Sequence, residues 1–244
     1  MKKIILSLFA PLIVSQSFAM TPLDPAFSPS KGDFVAYFSP AFIKPDLGGL
    51  KDGSFVLPMN GVAYGVDDRL SFFLEQASQT NPAIGIDYTL IPNREFSLDL
   101  IGKYELNVAD IAATGGAQVY GVADSHLSWS ASAFVRYRNI QVIENWFAVD
   151  ILLQGRVLYQ LDAKWGVFAE FNYNVIMDNY DNLYFTQYTY SRDMTLGAVY
   201  AISKSAAVMP FVSRNFKSVM SYGGADRDLS DGAMSVGARF GVQF

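Results

Sequence analysis

His126 is the one histidine in this chain, and Ser125 and Ser128 stand beside it. Serine next to imidazole suggests hydrolysis, because a base must take a proton from the hydroxyl, or from water, before attack. Its position argues against that chemistry: His126 falls in a short polar segment between two apolar runs, and serines gather in turns. Cysteine is absent, so there is no thiol nucleophile or disulfide, and a lone histidine gives no transition-metal set. No cofactor and no metal site are expected, and a membrane hydrolase is the weakest of the functions weighed. A larger set of charged and amide residues lies among apolar neighbours: Glu75, Asp87, Asp99, Lys103, Glu105, Arg136, Arg138, Asp150, Arg156, Glu170, Asn172, Asn174 and Arg239. Gathered in one cavity, such groups steer ions and polar solutes.

Alternation gathers them. In 95–106, Phe96, Leu98, Leu100, Tyr104 and Leu106 share one parity, while Ser97, Asp99, Lys103 and Glu105 share the other. In 127–138, Trp129, Ala131, Ala133, Val135 and Tyr137 alternate with Ser128, Ser130, Ser132, Arg136 and Arg138. Period two means extended strands with one apolar and one polar face. Twelve strands are expected, at 33–43, 55–66, 70–78, 82–91, 95–106, 111–122, 127–138, 146–161, 165–177, 193–202, 207–220 and 233–244, with ten or fourteen as alternative counts. The run 111–122 alternates poorly.

A short pattern recurs at strand ends: Tyr, one residue, an aliphatic, then a polar turn. Tyr64, Tyr88, Tyr120, Tyr159 and Tyr200 lead the five copies. Tight turns on one side and longer connections on the other (Lys44 to Ser54, Asp178 to Arg192, Ser221 to Gly232) are the known asymmetry of membrane barrels. The five tyrosines are expected to form an aromatic girdle at the membrane interface, ring in the apolar edge and hydroxyl in water.

The segment Ala233–Phe244, AMSVGARFGVQF, is the most regular strand, with Phe240, Val242 and Phe244 on its apolar side. It resembles the C-terminal signal strand of Gram-negative outer-membrane β-barrels. The resemblance implies an assembly signal at Phe240, Val242 and Phe244, read by the barrel assembly machinery. At the other end, Lys2 and Lys3 precede the apolar run Ile4–Val14, with Ser17 and Ala19 before a cleavage point. That is a secretory signal, too short to span a bilayer. The expected organisation is a signal peptide over 1–19, a Pro-rich periplasmic lead-in or short plug over 20–32, and a closed antiparallel all-β transmembrane barrel over 33–244. The chain also resembles barrels of the small-channel and transporter type, and its Tyr-Gly-Val turns are similar to those of barrels assigned to phenol-degradation pathways.

Composition agrees with interleaving. Hydrophobic residues make up 51% and aromatic residues 15% of the chain, yet no apolar run after the leader reaches the ~18 residues of a membrane helix. The formal charge is −5, falling to −7 once Lys2 and Lys3 leave, and no basic block exists to hold nucleic acid. In a barrel in the outer membrane the apolar face meets lipid, so the charged set faces the lumen. Its acids (Glu75, Asp87, Asp99, Glu105) come early and its bases (Arg136, Arg138, Arg156) later, which puts acidic and basic sectors on opposed walls unless they pair across the lumen. The expected function is a small-solute channel or transporter and not an enzyme; the alternative is a structural or adhesive barrel acting through outer loops, with aromatics Tyr180, Tyr184, Phe185, Tyr188 and Tyr190 as its contact surface.

Overall fold

A computed structural model describes residues 29–44, 54–76, 82–93, 95–106, 110–140, 146–180, 186–216, 218–222, 225–230 and 234–244. The expected signal peptide, 1–19, residues 20–28 of the expected lead-in or plug, and the connection 45–53 lie outside the described residues. The strands are β1 (Phe34–Lys44), β2 (Ser54–Gly65), β3 (Leu70–Gln76), β4 (Pro82–Ile91), β5 (Phe96–Leu106), β6 (Asp110–Val122) and β7 (Leu127–Ile140). They continue with β8 (Trp146–Gln160), β9 (Trp165–Tyr180), β10 (Thr186–Ser203), β11 (Ala206–Asn215), β12 (Ser218–Tyr222), β13 (Ala225–Ser230) and β14 (Met234–Gln243).

Each strand from β1 to β10 pairs with the next, β11 pairs with β14, and β14 returns to β1, so twelve strands close a ring. The seam is sealed by two 2.9 Å backbone bonds between Phe34 and Phe244. Closure matters because a bilayer offers no water to an unpaired backbone group. β12 carries on the line of β11 against β10, and β13 pairs with β12 alone. Two expected loops are therefore corrected. Asp178 to Arg192 is largely strand, since β9 runs to Tyr180 and β10 starts at Thr186; Ser221 to Gly232 contains the end of β12 and all of β13. The paired strands β9, β10, β12 and β13 extend the sheet past the ring, and sequence length alone read the excess as loop.

Leu74, Ile84, Leu100, Val135, Leu153, Phe171, Leu196 and Val236 are among the large apolar residues of the outer face, each between 43% and 54% exposed. Such a surface is far larger than a water-soluble monomer tolerates, and it makes the outside of the barrel a lipid-facing belt. Phe240, Val242 and Phe244 lie on this face.

At the turn end, one acceptor side chain organises each hairpin. Asp67 Oδ1 accepts from the backbone N–H of Arg69 and Leu70, Asp124 Oδ1 from His126 and Leu127, and Asp162 Oδ1 from Lys164 and Trp165. Asn93 and Ser203 do the same for Glu95 and Ser205. The two backbone donors hold the Asp162 carboxyl below its ordinary range. These acceptors, rather than the tyrosines, set the phase of the repeat. Tyr64, Tyr159 and Tyr200 stand three positions before their acceptor, and Tyr88 five before Asn93, which keeps the same parity. Tyr120 stands four before Asp124.

The expected girdle is corrected accordingly. Tyr64, Tyr88 and Tyr159 are outward and exposed, and Tyr200 packs on Trp165 at 4.5 Å between ring centroids. Tyr120 is 2% exposed and points into the barrel. A one-residue change of phase flips a side chain to the other face. Gly121 holds the girdle position there, and the Trp129 ring lies over it, where a Cβ would collide.

Candidate functional site: the charged lumen

Alternation along β5 sends Ser97, Asp99, Ile101, Lys103 and Glu105 inward, and the cross-strand register extends each into a row around the wall. One row runs Phe73, Gly85, Lys103, Thr114, Arg136, Asp150; the next runs Glu75, Ala83, Glu105, Ala112, Arg138, Ala148. Neighbouring charges in these two rows pair. Lys103 Nζ lies 2.9 Å from Glu75 Oε1 and 3.9 Å from Glu105 Oε1. Arg136 bonds Glu105 and reaches Asp150 Oδ2 at 3.4 Å; Arg138 holds Asp150 Oδ1 at 2.9 Å. Tyr37 donates its hydroxyl to Glu75 at 3.0 Å. A continuous ladder of alternating sign thus crosses from β3 to β8.

The opposed acidic and basic sectors are corrected by this ladder. Acids of β3 and β5 pair with bases of β5 and β7, because long side chains of neighbouring rows reach across the intervening strands β4 and β6. Alternating charges satisfy each other where unpaired buried charge would be prohibitive.

A second cluster stands apart. Arg156 on β8 and Arg239 on β14 share Glu170 on β9, at 2.6 Å and 2.9 Å to Oε2. Asn172 donates to Glu170 Oε1 at 3.4 Å. Asn174 faces inward on the same strand, half-buried, its Oδ1 without a partner. The two guanidiniums lie over aromatic rings, Arg156 5.6 Å from Phe168 and Arg239 5.1 Å from Phe211. Phe168, Phe211, Ala41, Val199 and Met209 form a buried apolar cluster with Leu158 packed on it, filling the lumen beside β9–β11. Tyr120 and Met209, from β6 and β11, border one small void with Leu158 and Val199, so packing here reaches across the lumen.

Beside these clusters the lumen holds a cavity. It measures about 480 Å³ and is lined by Glu75, Asp87, Lys103, Glu105, Arg136, Arg156, Glu170 and Arg239, with Phe73, Ile101, Phe134 and Leu152 between them. Asp87 and Asp99, on β4 and β5, belong to neither ion-pair cluster. Pro29 also lines the cavity. It begins a strap, residues 29–33, that Gly65 holds: the Gly32 N–H donates to the Gly65 carbonyl at 2.8 Å and the Gly65 N–H to Asp33 at 3.1 Å. A Cβ on Gly65 would collide with the carbonyl oxygens of Pro29 and Ser30. Gly65→Val is therefore expected to displace the strap and widen the turn-end mouth, read as a higher single-channel conductance; an unchanged conductance would mean that the strap obstructs nothing.

Sequence reasoning assembled the charged faces but missed the apolar lumen cluster; the strap overlaps the end of the segment 20–32 expected as a lead-in or short plug. β11 offers Val208, Pro210 and Val212 on one parity against Met209 and Phe211 on the other, so periodicity has nothing to choose between. Of the loop aromatics, Tyr184 and Phe185 lie outside the described residues, while Tyr180, Tyr188 and Tyr190 fall on β9 and β10. The hydrolytic constellation is incomplete. His126 Nδ1 lies 2.9 Å from Ser125 Oγ in an exposed turn, and Asp124 takes the His126 backbone N–H rather than the ring. The ring stacks on Tyr159 at 5.9 Å between centroids. Among the described residues no carboxylate bonds the imidazole to orient it as a base.

No family model matches the chain, and neither does any curated protein. Solved structures do. An outer-membrane channel from Pseudomonas putida F1 superposes with a TM-score of 0.64 at 10% identity, covering 91% of this chain and 100% of that one. The NanC porin matches at a TM-score of 0.49 and 9% identity, and the KdgM porin in complex with disordered oligogalacturonate at 0.46 and 11%, each covering 84% of this chain and 98% of its own. At these identities the likeness is one of fold: this chain has the fold of a twelve-stranded membrane barrel.

Proposed function

We propose that the protein is an outer-membrane channel for small solutes. The observation that carries this reading is the cavity of about 480 Å³, walled by paired charges inside a closed, lipid-belted barrel. Eight charged side chains around one open space supply field and hydrogen bonds at close quarters, the means by which pores select what passes. The fold it shares with the Pseudomonas putida F1 channel supports the reading. Phe240, Val242 and Phe244 on the lipid face of β14 are the surface we assign to the barrel assembly machinery. His126 lies in an exposed turn and does not line this cavity, and the reading assigned to the cavity is transport.

The test is conductance of the refolded protein in a planar bilayer, where discrete steps are expected. Replacing Arg136 and Arg138 together by Ala removes two cations and leaves Glu105 and Asp150 without those guanidiniums. The reversal potential in a salt gradient is then expected to move toward cation selectivity. A protein that stays silent, in the native form and with Gly65→Val, would overturn the channel reading.

A further inference from the structure

Every acid of the twelve ring strands falls on the inward parity, but two arginines fall on the outward one: Arg192 on β10 and Arg214 on β11, both exposed. Arg214 pairs with Met194, and Phe216 donates its N–H to the Arg192 carbonyl at 2.8 Å. The two arginines are therefore diagonal neighbours on adjacent strands, about 7–8 Å apart. Each guanidinium lies over an aromatic ring, Arg192 5.9 Å from the centroid of Tyr173 and Arg214 6.0 Å from that of Phe216. In the lumen Arg136, Arg138, Arg156 and Arg239 each hold a carboxylate. Among the described residues, none pairs with Arg192 or Arg214.

Their height on the wall says what they meet. From the turn end, the outward positions of β10 are Ile202, Tyr200, Ala198, Leu196 and Met194, and then Arg192. Tyr200 stands eight residues from Arg192. At ~3.4 Å per residue along a strand tilted ~35–45°, that is about 20 Å of height. The apolar band of a membrane barrel is ~25 Å tall, with the short turns on the periplasmic side. The arginines thus stand at the far edge of the band, level with the headgroups of the outer leaflet. Directly below them the row Leu196, Val212, Val236 crosses β10, β11 and β14, its members 52%, 44% and 54% exposed. The chain as a whole is anionic, at −5, so any attraction of an anion to this edge comes from the local cations and not from the net charge.

We infer that Arg192 and Arg214 hold the phosphate of a lipid in the outer leaflet, with its acyl chains lying down the strip of Leu196, Val212 and Val236. The ligand has the two parts that the surface has, an anion above and hydrocarbon below. Guanidinium forks match phosphate oxygens in a bidentate way. The rings of Tyr173 and Phe216 restrain the forks beforehand, so less freedom is lost on binding. The site lies on the outside of the wall and is independent of what passes through the lumen.

Two probes with the same chains, dioleoylphosphatidate and dioleoylglycerol, differ only in the phosphate. Each is titrated into the refolded protein in uncharged detergent, and bound lipid is counted by native mass spectrometry. Phosphatidate is expected to bind at least about tenfold more tightly than the diacylglycerol, a difference of about 1.4 kcal/mol. Arg192→Gln with Arg214→Gln is expected to weaken phosphatidate by about tenfold and to leave the diacylglycerol unchanged. Added salt should erode the preference of the native protein, because the pair is exposed. Heat-dependent migration on a detergent gel verifies that each variant is folded; should the double variant not fold, Arg192→Gln and Arg214→Gln decide singly. Equal binding of the two lipids, or phosphatidate binding that survives the substitutions, would mean that the arginines reach only for water at the interface and would overturn the proposal. Displacement of phosphatidate by an equal amount of inorganic phosphate would overturn it too, since the chains would then contribute nothing.

Discussion

Glu170→Ala is expected to lower the stability of the folded barrel by about 3–5 kcal/mol, the usual cost of removing one partner from a buried ion pair. Glu170 is 3% exposed and is the carboxylate that Arg156 and Arg239 share. Without it, two guanidiniums face each other over the rings of Phe168 and Phe211, where cation–π attraction offsets only part of the repulsion. Urea titration followed by heat-dependent gel migration measures the loss. Glu170→Gln should recover little, because an amide keeps the shape and removes the charge. Replacing the cluster as a whole, Glu170→Leu with Arg156→Met and Arg239→Met, should recover much of it, since apolar residues of similar volume often substitute for a buried ion network without loss. A loss under about 1 kcal/mol for Glu170→Ala, the scale of an exposed pair, would mean that lumen water solvates these arginines and that the cluster does not hold the barrel together.

Leu153→Arg and Gln154→Arg put the same charge on adjacent residues of β8 and should behave in opposite ways. Leu153 is outward and 43% exposed, near the middle of β8, while Gln154 is inward and lines the cavity. An arginine on the lipid face near the bilayer midplane costs about 2–4 kcal/mol, so Leu153→Arg should fold poorly into lipid vesicles. Gln154→Arg should fold normally and move ion selectivity toward anions. Folding yield in vesicles and reversal potential read the two effects. Equal yields would mean that the outer face of β8 does not meet lipid.

The sequence alone determined the class of fold and the sidedness of its residues. Period two is a local property: each strand carries its own alternation, and a lipid exterior makes the apolar parity point outward. Phe96 to Leu106 or Leu127 to Arg138 could therefore be assigned residue by residue, with the charges consigned to the interior by the cost of placing them in lipid. Local reading failed where the phase depended on a neighbour. Tyr120 looked like Tyr64 until Asp124, one residue farther along than Asp67 is from Tyr64, set the turn and rotated the tyrosine inward. It failed again where both faces of a strand are apolar, as around Met209 and Phe211, because the inward side there packs against other inward side chains rather than water. What only the tertiary structure decided was which charges meet. Lys103 finds Glu75 through two ladders, Arg136 finds Glu105 and Asp150 on either side, and Arg239 crosses to a glutamate 69 residues earlier in the chain. Closing the ring places β14 within reach of β9 across the lumen. Pairing is a property of that closed geometry, which no stretch of sequence contains.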